Sequence, residues 1–408
     1  MHATFEQSIR AVISHSAGSG ELETEMPTLL RREFLMSASA AALSTKLFAK
    51  DSSATQNVFI GGTAKGEGEG IHVAQWDAST GTLSNLRLSI AVNQPSFMIA
   101  CEERGQRFLF SGHQPSPTEA ALSSFRVTPT GDLQEVNTIK VPDEEESFIQ
   151  IVLDRTNRCL LSASYRTSKV RSFKVSPDGH LSGPVSEFQL SGSGPNPKRQ
   201  TTAHAHGAVV SPDNRYVLIN DLGSDRIMVY KLNAATAEMR PNDPPFFSAA
   251  PGSGPRHTAF HPNGKWAYSI NELDSTLTLM QWDAVKGTLT KVESVPTLPP
   301  DADVSKNRAG EVIIDKSGRF LYSCNRGPSD ELLVYSIAAN GHLSLLQRMP
   351  LGGKEARHYA IDPSGRFVVV AEQASDRVGV FSRNTTSGEL QATGKTYPAN
   401  KASCVVFT

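Results

Sequence analysis

Histidines, arginines and carboxylates recur in this chain at matched places around a repeated turn. Ahead of successive turns stand His204 and His206, Arg256 and His257, Glu311, and Arg357 and His358; beyond them stand Asn220-Asp221, Asn271-Glu272, Asn325-Arg326 and Glu372-Gln373. Such a set suits water addition to a carbonyl. A carboxylate or imidazole takes the proton from water, and guanidinium groups stabilise the oxyanion or hold an acidic tail. Glu311 is the first choice for the base and His206 the second, with Arg256 and Arg357 on the carbonyl, carboxylate or phosphate. His204, His257, Asp221, Glu272, Arg326 and Gln373 are the expected substrate-binding residues, although Glu272 and Arg326 could instead pair with each other. His261 lies in a turn at the opposite end and is set aside. No metal-ligand spacing or cofactor motif stands out, and neither a metal nor a cofactor is expected.

The elements that must position these residues repeat about every 50 residues from residue 57 onward. The turn has clear copies in SPDNRY (211–216), HPNGKW (261–266), DKSGRF (315–320) and DPSGRF (362–367), with degenerate ones at 104–108 and 154–159. Its basic residue falls at Arg107, Arg158, Arg215, Lys265, Arg319 and Arg366. A later alternating strand occurs seven times, from IHVAQWD (71–77) to RVGVFSR (377–383), and six copies are followed by a Gly-x-Leu turn. Period-two alternation bounded by glycine and proline turns means β-strands. The pattern predicts an all-β fold, a seven-bladed propeller of four-stranded antiparallel blades. The segment 402–408 should close the ring by pairing beside 57–62. Polar residues flanking the two innermost strands of successive blades then converge on one mouth of the channel.

These segments resemble the propeller-type 6-phosphogluconolactonase family, which also contains a fungal muconate lactonising enzyme. The resemblance is carried by GSGPNPKRQTTAHAHGAVVSPDNRYVLINDLGSDRIMVYKL (192–232), GSGPRHTAFHPNGKWAYSINELDSTLTL (252–279), GEVIIDKSGRFLYSCNRG (310–327) and ARHYAIDPSGRFVVVAEQASDRVGVF (356–381). It covers nearly everything after residue 57. It implies a polar channel site that hydrolyses or binds a small lactone or sugar-acid ligand, although one fold hosts many chemistries. The early blades depart from the family: Gly112-His113 stands where it has Asn-Glu, Gln150 where it has His, and Ser164-Tyr165-Arg166 where it has Asn-Tyr-Gly. His113 is the reserve candidate for the base. Lactonising cyclisation, a non-catalytic scaffold and a periplasmic oxidoreductase are the competing readings; the last is disfavoured because no CxxCH or vicinal cysteine pair occurs.

The 40 Lys plus Arg nearly balance the 41 Asp plus Glu, which argues against a nucleic-acid partner. Cys101, Cys159, Cys324 and Cys404 sit in or beside apolar strand-like runs and read as buried thiols, with a disulfide left open. Residues 26–50 carry Arg31-Arg32 before Phe34-Leu35 and an Ala/Ser-rich apolar stretch too short to span a bilayer. This resembles a twin-arginine signal, so the export machinery is an expected partner, the periplasm or exterior the expected location, and no stable membrane anchor is expected. Residues 1–50 are expected to lie outside the mature fold.

Overall fold

The computed structural model describes residues 56–142 and 147–408; the twin-arginine segment lies outside them. Seven four-stranded antiparallel sheets make up the described residues, in the order of seven propeller blades. The ring closes as the sequence predicts. Gln56–Gly62 pairs antiparallel with Ala402–Phe407, with Val58 opposite Phe407 and Ile60 opposite Val405, so blade 1 takes its innermost strand from the C-terminus. The other innermost strands are Phe97–Glu103, Gln150–Leu153, Ala205–Val210, Pro255–Phe260, Arg308–Ile314 and Ala356–Ile361, in blades 2 to 7. Each packs against the innermost strands on either side, which makes them the wall of the channel.

Burial follows position in the blade. Second strands such as Tyr216–Asp221 and Phe367–Glu372 are buried along their whole length. They read as near-continuous apolar runs because both faces are covered. Outermost strands such as Leu181–Gln189 are largely exposed and polar.

The repeated turn joins one blade to the next. Its aromatic residue packs on the glycine of the following blade's Gly-x-Leu turn: Tyr216 on Gly287, Trp266 on Gly341, Phe320 on Gly388 and Phe367 on Gly81. Its arginine also reaches the following blade, where Arg215 Nη2 donates to Ala284 O at 2.5 Å and Arg319 Nη2 to Thr385 O at 2.8 Å. The two halves of the repeat therefore form a single contact between neighbouring blades.

All four cysteines are free thiols, with Cys159, Cys324 and Cys404 buried. Cys324 Sγ donates to Ala356 O and Cys404 Sγ to Met98 O, both in neighbouring blades. Among the described residues no helix is long and apolar enough to cross a membrane.

Deleting residues 402–408 should abolish the cooperative thermal transition, because it opens a blade and bares two sheet edges. An unchanged midpoint by circular dichroism would contradict this closure. Gly287→Ala should cost about 1–3 kcal/mol, because its φ is +69° and a Cβ there would stand 2.3 Å from the Tyr216 ring.

Candidate active site

Five innermost strands share a local irregularity near the channel. The ladder slips between Ala205 and Gly207, Pro255 and His257, Ala309 and Val312, and Ala356 and His358, and opposite Gly61/Gly62 in blade 1. Blades 2 and 3, whose sequences depart from the repeat, have no such slip on their innermost strands. Bulges re-aim side chains and are common beside active sites. Here they create two tiers. His206, Arg256, Gly310 and Arg357 stand five residues before the turn residues Ser211, His261, Asp315 and Asp362. Gly207, His257, Glu311 and His358 stand four before them.

His206 and Arg357 of the upper tier open on a cavity of about 1040 Å³, lined also by Glu272, Arg326 and Gln373 among others. An inner cavity of about 280 Å³ adjoins it through Gln94, Ile149 and Arg357, and is bordered by Arg256, His257, Phe97 and Ser403. Glu272 is the charge centre. Its Oε1 accepts from Arg199 Nη2 at 2.8 Å and its Oε2 from Arg326 Nη2 at 2.9 Å, while Arg256 Nε lies 3.2 Å from Oε2. His206 Nε2 lies 3.8 Å from the same oxygen. Arg256 and Arg326 also donate to the carbonyls of Gly310 and Ala309.

Three expected placements are corrected. Glu311 borders neither cavity: the bulge puts it on the lower tier, where its Oε1 meets His257 Nδ1 at 2.7 Å and accepts from its neighbour Val312 N at 3.0 Å. Asp221 does not face the channel but caps a turn, accepting from the amides of His204, Gly223 and Ser224. His204 stacks on Tyr165 with ring centroids 4.4 Å apart and bonds Tyr165 O, so it supports a mouth residue without lining either cavity. Gln150 Oε1 accepts from Ala208 N, a strand-to-strand contact. His113 is buried against Ser123 Oγ at 2.8 Å and borders a separate surface pocket. His261 lies at a blade-to-blade turn, bonding Gly318 O.

Sequence reasoning missed Arg199, Arg308 and Glu355. Arg199 lies in the long polar connector before blade 4 and stands 3.1 Å from Tyr165 Oη. Arg308 pairs with Glu355 at 2.5 Å, just ahead of the bulges. A scan of the blade-to-blade connectors for charged residues would have found Arg199 and Glu355, whereas Arg308 opens the innermost strand of blade 6.

Burial governs the titration of the site. It depresses His206 well below the ordinary imidazole value, helped by Arg256, and holds His257 at about 4. His358 is lowered mainly by burial too. Burial opposes ionisation of Glu272 and Glu311, but the surrounding cations prevail. Glu272 lies well below the usual carboxylate range, through Arg326 first, and Glu311 lies at about 2, through His257 first. The imidazoles are therefore neutral and the carboxylates charged at neutral pH. Histidines depressed in the folded state take up protons more readily when unfolded, so stability falls as pH drops below about 6.5. Thermal denaturation should show this loss between pH 6.5 and pH 5, up to about 1.4 kcal/mol per histidine per pH unit. A flat midpoint over that range would contradict the buried neutral imidazoles.

Residues 57–407 match the family described as lactonase, 7-bladed beta-propeller. The chain is 28% identical to the 6-phosphogluconolactonase of Bacillus subtilis (strain 168) over 352 residues, 86% of this chain and 97% of the relative. It is 31% identical to the 6-phosphogluconolactonase of Formosa agariphila over 358 residues, 86% of this chain and 99% of the relative. Among solved structures, the Pseudomonas aeruginosa periplasmic gluconolactonase PpgL aligns with a TM-score of 0.80 at 29% identity, covering 86% of this chain and 99% of that one. The bulged polar channel therefore belongs to a chain of the seven-bladed β-propeller lactonase family.

Proposed function

We propose that the protein opens a small sugar or carboxylated lactone, as 6-phosphogluconolactonase does, at the junction of its two axial cavities. The observation that carries this reading is Arg357. It borders both cavities, and no hydrogen bond or ion pair ties it to another described side chain. Burial, with Arg256 and Arg326 nearby, pushes its pKa down to about 9, so it is cationic at neutral pH in surroundings that disfavour the charge. An oxyanion or an acidic substrate group would relieve that disfavour. Arg326 and Arg256 are occupied by Glu272 and backbone carbonyls, so their part is to hold the site's shape and field. Lys65, Arg166, Arg199 and Arg308 on the wider mouth suit the distal acidic end of a substrate. The base comes from the axial imidazole–carboxylate cluster of His206, His257 and Glu311.

Acid release from D-glucono-1,5-lactone and its 6-phosphate tests this reading directly. Turnover above the spontaneous rate supports it, and none on either lactone would refute it. Arg357→Ala should lower affinity for anionic lactones about 10- to 100-fold, and less for neutral ones. Equal losses for both classes would remove Arg357 from anion recognition.

The active protein is placed outside the cytoplasm on the strength of Arg31-Arg32 and the apolar stretch that follows. Replacing both arginines with lysine should retain the folded, unprocessed protein in the cytoplasm; unchanged recovery in the periplasmic fraction would contradict the export assignment.

A further inference from the structure

Three imidazoles meet near the channel axis, and their surroundings set each one differently. The carboxylate of Glu311 lies 2.7 Å from His257 Nδ1. An ionised carboxylate has no proton to give, so the network assigns the proton of a neutral His257 to Nδ1. The 3.3 Å approach of Arg256 Nη1 to that nitrogen is then a contact, not a hydrogen bond. Nε2 is left with a lone pair, and it is buried with no partner. A buried acceptor left unsatisfied is costly, and such orphans call for an explanation. His257 borders the inner cavity together with Arg357.

The other two imidazoles lack this arrangement. His358 Nδ1 accepts from Val405 N at 3.3 Å, which puts its proton on Nε2 and makes that nitrogen a donor. His206 has only a 3.8 Å approach to Glu272 and no hydrogen bond that fixes its ring. Glu311 is itself held firmly. Its amide donates to Cys324 Sγ, its carbonyl accepts from Tyr359 Oη at 3.0 Å, and its Oε1 accepts from Val312 N.

We propose that His257, oriented by Glu311, is the base that activates the attacking water in the inner cavity. The proposal rests on the lactone-opening reading above and names the group that carries its proton. Water gives a proton to His257 Nε2 as its oxygen bonds the lactone carbonyl carbon, and the carbonyl π pair becomes an oxyanion facing Arg357. When the oxyanion collapses, the ring C–O bond breaks, and the released alkoxide takes the proton back from Nε2. Water is the only co-reactant. Glu311 touches no reacting atom. It is a positioning residue that keeps the proton on Nδ1 and steadies the imidazolium formed in the step, the same logic as a nucleophile's base oriented by a third group.

Full-length His257→Gln, Glu311→Gln and Glu311→Asp should be compared with the parent on D-glucono-1,5-lactone, with gluconate affinity measured by calorimetry. His257→Gln should lower kcat about 10²- to 10⁴-fold while KM and gluconate affinity hold. Glu311→Gln should act in the same direction, because an amide can donate to Nδ1 and reverse the tautomer. Glu311→Asp should restore part of the loss, which a purely structural role would not produce. If His257→Gln does not fold, His257→Asn is read in the same way. A turning-over parent with parental kcat in the His257 variant overturns this proposal alone. Failure of the parent to open any lactone overturns the reading on which it rests.

Discussion

A single buried carboxylate holds the channel together. Glu272 faces Arg199, Arg256 and Arg326, drawn from the connector ahead of blade 4, from blade 5 and from blade 6. Without it, those guanidinium groups would repel one another in surroundings where removing charge from water already costs several kcal/mol per ion. With it, they are fixed in place; Arg256 and Arg326 also donate to the carbonyls of Gly310 and Ala309, and Arg199 to Tyr165 Oη. Balancing this charge removes a repulsion that would oppose the close approach of these blades to the axis. The closed ring buries the carboxylate, which opposes its ionisation, and the arginines around it keep it charged. Arg357 stands outside the balance, and that leaves a cation with no hydrogen bond or ion pair to another described side chain where the two cavities meet.

Backbone geometry turns that balance into a directional site. The bulge at the start of the innermost strands gives each of these blades an upper and a lower residue that are aimed differently. In blade 5 the pair is Arg256 above His257, in blade 7 it is Arg357 above His358, and in blade 6 it is Gly310 above Glu311. A side chain added at Gly310 would stand 2.5 Å from Cys324 Sγ. Glycine therefore lets Glu311 approach His257 from the adjoining blade while Arg256 crosses to the Gly310 carbonyl. Equivalent imidazoles then carry opposite tautomers because one meets a carboxylate and the other a backbone amide.

The fold was legible because the repeat encodes it twice. The aromatic after the turn and the glycine of the next blade predict the same contact from two places, and Tyr216 on Gly287 is one such meeting. The partner of Gln56–Gly62 was legible by counting, since one innermost strand was missing and one strand-like segment remained. The site was less so. By strand flank alone Glu311 aligns with Arg256 and Arg357. Counting back from the turn gives four residues for Glu311 against five for the arginines. The same count places Asp221 with Asn271, Asn325 and Glu372, whose partners include residues of their own blades, and places Glu272, Arg326 and Gln373 one step further on. A one-residue shift in a strand changes the face completely. Arg199 lay in a connector, whose course no periodicity predicts, and Arg308 opens an innermost strand ahead of its bulge.

The arrangement brings together a neutral acceptor, an available cation and a cavity sized for a small ring. The most direct test of the account is a crystal structure of the protein with gluconate bound. It predicts the carboxylate at the junction of the two cavities, within hydrogen-bond reach of Arg357 and beside His257. Gluconate bound only outside the channel, or with its carboxylate turned away from Arg357, would contradict it.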